Sequence, residues 1–432
     1  MSARMSVLLW AWGVWAVTAC APAGPRYPAA DLPPPSPSPV LSTAAAYQVP
    51  VGPVDLDDIL RLVREAHPTV QAARQRVEAT GWRIDQQRAW PDPRLVIENL
   101  RPDDGRQEPQ VMLMQRLPWF GSRERLGAVA TAEVQVAMQE LIAVELAVER
   151  DLRILHYRWQ ESMQRRSLVA EAHARSVQVV EGMQARVATG TDQVALIDRQ
   201  RDVAVVADRL RRLDDEISHW RRRLLVRAGL GADTQLAMPS GLPTPPPSDL
   251  AAWVEARLED HAVALQLLRR RVAVAAERIT LAQRQAWPEP SVGLGYDRAM
   301  MHDERWMLSL AVSLPLARTA RHAAVAEAQA RHRAAQFDLL DQRQRLDDMV
   351  TKRLFAINDA HRQETLAREV LLDSAQRAQE LIEQAYRAGR RDAGAVLDRD
   401  LAILQAREAL LGARFAQVVA AAELAALVGG VP

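Results

Sequence analysis

The order of apolar and polar residues along the chain predicts long paired helices. Between residues 203 and 224, apolar side chains step alternately by three and four residues, as they do along the seam of a helix that packs lengthwise on another. The seam consists of Val203, Val206, Leu210, Leu213, Ile217, Trp220 and Leu224. On the preceding segment, Val134, Leu141, Val148 and Leu155 recur every seven residues. We therefore predict that a helix over about residues 122–187, ~100 Å long at ~1.5 Å per residue, packs on the helix that follows it.

Alternation with a period of two predicts strands elsewhere. In residues 306–314, large apolar residues alternate with Met307, Ser309, Ala311 and Ser313, which indicates a strand with one strongly apolar face. Residues 291–296 alternate in the same way, and residues 94–100 and 110–117 do so more weakly. Polar segments separate the members of each pair. The pattern predicts one hairpin at about 94–117 and another at about 291–314.

The sequence also repeats itself. Ala-Trp-Pro-acid-Pro occurs at 89–93 and again at 286–290, so that Trp90 and Trp287 are 197 residues apart. Leu-Pro at 117–118 and at 314–315 has the same offset, and the segments that start at Ala188 and Ala388 match at 199 to 200. We infer two repeats, 55–237 and 250–432, joined by a proline-rich linker at 238–249. Each repeat is expected to contain a helix of roughly 30 residues that ends before Trp-Pro, because proline disfavours helix continuation. A hairpin and long helices follow, the second long helix over about 319–386.

The N-terminus predicts export. Residues 1–19 contain a basic residue, an apolar stretch and small residues before Cys20, which is typical of a lipoprotein signal peptide. Cys20 is the only cysteine of the chain, and we predict that it is lipidated. Residues 20–54 are rich in proline and would form an extended tether. The alternative is a short membrane anchor that happens to contain a cysteine, although ~13 apolar residues are few for a bilayer crossing.

Composition excludes several classes of function. The 55 basic residues are balanced by 54 acidic ones, which argues against a nucleic-acid partner. The sequence has no phosphate-binding loop, zinc-hydrolase helix or nucleophile elbow, so neither an enzyme nor a cofactor is predicted. Met112 and Met114, and the run 300–302, suggest contacts with soft metals. Because no histidines have close ligand spacing, however, no metal site is predicted.

The strands have the length of outer-membrane crossings, and no segment of the mature chain is expected to form a transmembrane helix. Four strands cannot close a barrel, and open edges in lipid would leave backbone groups unpaired. Several chains would then share one barrel, and three chains would supply twelve strands. Aromatic residues at strand ends suit a membrane interface, or alternatively cap a soluble core: Trp90, Trp119, Phe120, Trp287, Tyr296 and Trp306.

Two stretches, WPDPRLVIEN and MQRLPWFGSRERLGAVATAEV, resemble the TolC family of outer-membrane efflux proteins. They are most similar to its heavy-metal (cobalt, zinc, cadmium or copper) resistance branch, and the resemblance covers residues 55–430. It implies a mainly α fold with transmembrane β strands, in which a homotrimer forms a twelve-stranded barrel joined to a coiled-coil helical barrel. It also implies a location in the outer membrane of a Gram-negative bacterium. The implied partners are a periplasmic adaptor protein and an inner-membrane pump, usually of the resistance-nodulation-division type.

The resemblance further implies a constriction at the turns between the long helices. The family pattern falls on Tyr386, Gly389, Arg391, Val396, Leu397 and Asp398, whereas its first acidic position falls on Ala395. Asp392, Asp192 or Asp198 would supply the missing charge. For Asp192 and Asp392, simple helix capping is the alternative role.

At the other end of the helices, the predicted joints with the barrel contain the residues Trp90, Pro91, Pro93, Pro118, Trp287, Pro288, Pro290 and Pro315. Two functions remain open from the sequence. The first is a passive exit duct of a tripartite efflux system, with heavy-metal cations among the candidate substrates. The second is a lipid-anchored periplasmic coiled-coil scaffold or adaptor without a pore.

Overall fold

The computed structural model describes residues 52–98, 110–187, 193–239, 241–247, 249–298, 304–314 and 316–430. The chain divides into two units, Met1–Gln48 and Val49–Pro432, and all described residues belong to the second. The signal peptide, Cys20 and most of the tether lie outside the described residues, as do Asp192 and Pro315. The predictions made for them stay predictions.

The two halves of the chain contain the same order of elements, except that the long helix after the hairpin is divided in the second half. The first half consists of α1 (Leu56–Ala66), α2 (Pro68–Arg88), β1 (Arg94–Glu98), β2 (Gln110–Arg116), α3 (Ser122–Val187) and α4 (Gln193–Ala228). The second half consists of α5 (Leu250–His261), α6 (Val263–Arg284), β3 (Glu289–Arg298), β4 (Glu304–Ser313), α7 (Arg318–Leu366), a π-helical segment (Ala367–Leu372), α8 (Asp373–Arg387) and α9 (Ala393–Val428). The predicted mainly α fold with two hairpins and an internal repeat is confirmed.

The single helix predicted before each hairpin was wrong, because two helices occupy each segment. In the first repeat the break lies at His67, whose backbone is extended, and Pro68 opens α2. Proline at this position disfavours a helical conformation for the residue before it. In the second repeat the chain turns at Ala262 without a proline. There the backbone of Gly429 packs so closely on the His261 carbonyl that a Cβ atom on the glycine would collide with it. Tertiary packing therefore accompanies this second break.

The long helix predicted over 319–386 is also interrupted, at the π-helical segment 367–372. The offset between the repeats rises from 197 before this helix to 199 at Gly389, so the second repeat carries two additional residues here. A π-helical turn closes its hydrogen bond one residue later than an α-helical turn, so it can accommodate an additional residue within a helix. One turn earlier, the buried Glu364 accepts hydrogen bonds from Arg414 and Gln417 of α9. This contact ties the helix to α9 next to the irregular turn.

The predicted seam packs as expected. Val206 and Leu213 of α4 form one buried cluster with Val169 and Ala172 of α3, and Leu404 of α9 joins them. A neighbouring cluster of Leu411, Phe415 and Val418 lies on α9 itself. The core therefore runs continuously from the first repeat into the second, with α9 packed against α3.

Among the described residues, α9 is the one helix that is long and apolar enough to cross a membrane by length and composition. The expectation that no segment of the mature chain would be apolar enough for a transmembrane helix was therefore wrong. Half of the apolar stretch is buried inside the protein, and the buried residues of α9 include Gln417 and Asp400. The apolar character of α9 fits a central helix of the bundle.

The four strands form one antiparallel sheet in the order β1-β2-β3-β4. The middle pair joins the repeats, since Met112 of β2 lies opposite Gly295 of β3. The Leu117 N–H donates to the Pro290 carbonyl at 2.9 Å and extends this pairing by one residue. Within the described chain, the outer edges of β1 and β4 have no neighbouring strand.

Candidate functional site

One face of the sheet is almost entirely apolar and exposed. Leu308 and Leu310 of β4 are 84% and 73% exposed. The same face carries Leu95, Ile97, Val111, Leu113, Val292, Leu294, Trp306 and Val312. Soluble monomers rarely expose a contiguous apolar surface of this kind. The face therefore has the properties of a surface that contacts lipid or another protein.

The opposite face is different in chemistry. Strands alternate their side chains, so this face carries serines from β3 and β4, and arginines at the starts or ends of β1 and β2. Gly293 and Gly295 lie near its centre, flanked by methionines. Apart from these methionines and Val96, the side chains described on this face are polar or small, which suits contact with water.

An arginine from the following helix fastens each joint between helix and sheet. The Arg123 Nε donates to the Arg88 carbonyl at 2.9 Å, and Arg321 donates to the Ala286 carbonyl at 2.6 Å. Both acceptors are 35 residues before their donors, so the arrangement is repeated in the two halves. These arginines satisfy carbonyls at the ends of α2 and α6, which helix termination leaves unpaired. The sequence prediction missed them.

The predicted joint residues lie between the helices and the strands. Trp90 follows α2 and lies under the Arg123 guanidinium, 4.2 Å from its ring centroid. Trp287 follows α6 and stacks on Trp119 with centroids 5.3 Å apart. Of the prolines, Pro91, Pro93, Pro118 and Pro288 lie in the connections and Pro290 lies near the start of β3. Their position at a membrane interface stays a prediction.

The turn between α8 and α9 is stabilised by backbone hydrogen bonds at the end of α8 and by a side-chain cap at the start of α9. Gly389 has a φ of +71°, and the N–H groups of Gly389 and Arg390 donate to the carbonyls of Tyr386 and Ala385. This is the glycine-based helix ending in which two orphan carbonyls are satisfied. Asp392 then accepts from the Ala395 N–H at 3.1 Å and caps α9. Arg391 lies exposed between them.

Asp398 forms an ion pair with a residue of the first repeat, which was not predicted from the sequence. Arg199 of α4 donates to both carboxylate oxygens of Asp398, at 2.5 and 3.2 Å. The hydrogen bond to Asp398 raises the pKa of Arg199. Gly394 leaves room for the guanidinium, since a Cβ atom there would lie 3.1 Å from the Arg199 Nε. The partner of Asp398 is thus Arg199 of the first repeat.

Asp198 occupies the position in the first repeat that Asp398 occupies in the second, 200 residues later. Asp198 is exposed and lies 3.5 Å from Arg201 on its own helix. The Asp-Arg pair occurs in both repeats, at 198–199 and at 398–399, and this repetition could have indicated an ion pair between the repeats.

Near the same end, Asp400 is a buried carboxylate. It lies 3.1 Å from Arg175 of α3 and accepts from Gln379 of α8 at 3.0 Å. Burial raises the pKa of Asp400, and the nearby Glu383 and Glu171 raise it further, whereas Arg175 lowers it. Asp400 therefore links three helices at a cost in desolvation. In the described part of the chain, no three His, Cys, Asp or Glu side chains are grouped as a metal site would require.

Comparison with known proteins finds solved structures with a similar fold. Residues 255–430 match the family model described as outer membrane efflux protein, which covers the second repeat. No curated protein matches the chain. Among solved structures, the outer membrane protein VceC of Vibrio cholerae is similar at 16% identity and a TM-score of 0.71, covering 87% of this chain and 96% of that one.

Two further structures agree. The open state of the MtrE outer membrane channel of Neisseria gonorrhoeae has 14% identity and a TM-score of 0.69, over 87% of this chain and 89% of that one. The CmeC outer membrane channel of Campylobacter jejuni has 11% identity and a TM-score of 0.68, over 87% and 85%. The chain has the fold of these outer-membrane channels along most of its length.

Proposed function

We propose that this chain is the outer-membrane exit duct of a tripartite efflux system, which conducts its substrates passively. The exposed apolar face of the four-stranded sheet carries the proposal. A lipid-anchored scaffold with a soluble sheet would have to bury that face, and no described helix packs on it.

The number of chains follows from the sheet edges. In lipid, an unpaired strand edge leaves backbone donors and acceptors without partners, which costs several kcal/mol for each group. Pairing β4 of one copy with β1 of the next removes all edges when the ring closes. Three copies give twelve strands, and a barrel of this size encloses a water-filled lumen. The apolar face then contacts lipid and the serine-rich face lines the pore.

The remaining assignments rest on this orientation. The joints at Trp90 and Trp287 lie at the periplasmic rim of the barrel, and α3, α4, α7, α8 and α9 form a tube in the periplasm. Cys20 anchors the N-terminus in the membrane after removal of residues 1–19, with residues 20–54 as the tether. The turn end of the tube meets a periplasmic adaptor and an inner-membrane pump of the resistance-nodulation-division type. Heavy-metal cations are the proposed cargo, on the sequence resemblance.

The experiment compares two adjacent residues of β4 that point to opposite faces. Leu308→Arg places a charge in lipid, at a cost of ~2–4 kcal/mol near the bilayer midplane, whereas Ser309→Arg places it in the pore. We expect Leu308→Arg to abolish the heat-modifiable trimer in outer-membrane fractions. We expect Ser309→Arg to keep the trimer and lower its cation conductance in planar bilayers.

Equal tolerance of both substitutions would refute the membrane position of the sheet. A wild-type protein recovered as a monomer, or one that does not conduct, would favour the scaffold. A deletion strain tested against metals and drugs then identifies the cargo.

A further inference from the structure

Methionines from two strands converge over glycines of the strand between them. In the sheet register, Gly295 of β3 lies between Met112 of β2 and Met307 of β4. A Cβ atom on Gly295 would lie 3.5 Å from the methyl carbon of Met112 and 3.6 Å from that of Met307. Both side chains therefore lean over the same glycine from opposite sides.

The next row of the sheet completes the group. Gly293 lies between Met114 and Ser309, and its Cβ position is 3.2 Å from the Met114 Cγ and 3.4 Å from the Met112 sulfur. The Ser309 hydroxyl donates to the Met112 sulfur at 3.5 Å. The side chains of three methionines and one serine thus lie over two neighbouring glycines, and of the sulfur atoms that of Met112 lies closest to Gly293.

The face on which these methionines lie makes packing an insufficient explanation. Along β2, Val111 and Leu113 point to the exposed apolar face, whereas Met112 and Met114 point to the serine-rich face. What methionine adds on this face is a polarizable sulfur atom.

We propose that Met112, Met114 and Met307 form a transit site for soft monovalent cations, Cu(I) or Ag(I), on the pore wall. The proposal rests on the channel function, which turns this face toward the lumen. Thioethers select Cu(I) over harder ions, while Zn(II) favours thiolate, imidazole or carboxylate ligands. Neutral thioethers also bind weakly enough for release, as a conducting site must. The site therefore narrows the proposed metal cargo to soft d10 monovalent ions.

The first test is Cu(I) binding to the purified full-length protein in detergent. The protein is titrated without oxygen against a chromophoric Cu(I) chelator. The variant Met112→Leu/Met114→Leu/Met307→Leu keeps the apolar volume and removes the sulfur atoms. Met138→Leu/Met238→Leu is the matched control, because these two methionines are exposed and lie outside the sheet.

We expect the wild type and the control to bind about one Cu(I) per chain, and the triple variant to bind it about tenfold or more weakly. Equal Cu(I) binding by the triple variant would overturn the site. Displacement of Cu(I) by equimolar Zn(II) would overturn the selectivity.

A second readout separates failure of the site from failure of the channel. In planar bilayers with nitrate salts, Ag(I) should transiently reduce the wild-type current and leave the triple variant unaffected. Normal currents with identical Ag(I) responses in both proteins would reject the site and keep the channel. Absence of any current in the wild type would reject the proposed channel, whatever the Cu(I) binding shows.

Discussion

The internal repeat predicts a specific ion pair between neighbouring copies of the chain. Within one chain, Arg199 of the first repeat pairs with Asp398 of the second. The residues equivalent to Arg199 and Asp398 in the other repeat are Arg399 and Asp198. The equivalent contact would therefore join Arg399 of one copy to Asp198 of the next. The residues beside them agree, because Leu397 is fully buried whereas Ile197, its counterpart, is 64% exposed. A neighbouring copy that covers Ile197 would restore the symmetry.

The magnitude follows from the pair that is present within the chain. Asp398 has half of its side chain exposed and Arg199 about a fifth, so solvent screens the attraction. A pair of this exposure contributes ~0.2–1 kcal/mol, and a bidentate geometry favours the upper end. Reversing one charge removes the attraction and adds a repulsion of similar size, ~1–2 kcal/mol at each interface. A trimer has three such interfaces, so Asp198→Arg should destabilise it by ~3–6 kcal/mol.

The assay is thermal dissociation of the trimer on semi-native gels, with wild type, Asp198→Arg, Arg399→Asp and the double variant compared. We expect each single reversal to lower the dissociation temperature and the double variant to recover most of it. Asp208→Arg combined with Arg399→Asp is the control. By the same repeat, the residue that would face Asp208 is Ala409, which cannot form an ion pair. The charge reversal at Asp208 is therefore not expected to be compensated. A double variant no more stable than the singles would refute the interchain pair.

Two pH-dependent predictions follow from buried titratable groups. Burial, with Arg153 nearby, lowers the pKa of His156 to about 4, so the stability that comes from its neutral form is present above pH ~6.5 and is lost as the pH falls toward 4. When the pH is lowered from 6.5 to 5, the free energy of unfolding of the wild type should therefore fall by ~2 kcal/mol more than that of His156→Gln. The same fall in both proteins would contradict this. The pKa of Asp400 is raised by burial, so the stability of its protonated form is present below pH ~4 and is lost as the pH rises through the folded-state pKa. Asp400→Asn should gain relative stability from pH 4 to 7; a relative loss would show that the Arg175 pair dominates.

Features that depend on local sequence were predictable, and those that depend on another part of the chain were not. The seam from Val203 to Leu224, the hairpins and the limits of α3 follow from periodicity, which one segment carries alone. The break at His67 was also predictable from local sequence, because Pro68 disfavours a helical conformation at His67, but it was not predicted. The break at Ala262 has no such signal, because the contact involves Gly429 at the far end of the chain. Arg123 was missed for the same reason: the carbonyl that it satisfies belongs to an earlier helix.

The two ends of the long helices are held by interactions of different strength, and this bears on where the proposed channel would open. At the sheet end, four strands share a backbone hydrogen-bond ladder, and Arg123 and Arg321 fasten the helix ends to it. At the turn end, the half-exposed pair of Asp398 and Arg199 contributes only ~1 kcal/mol or less. Separating the repeats at the turn end breaks ion pairs, among which Asp400–Arg175 has a buried carboxylate, whereas separating them at the sheet end breaks ladder bonds that lipid would not replace if the sheet lies in the membrane as proposed. If the proposed channel docks a partner, a change of shape driven by a few kcal/mol is therefore expected at the turn end, with the proposed barrel unchanged.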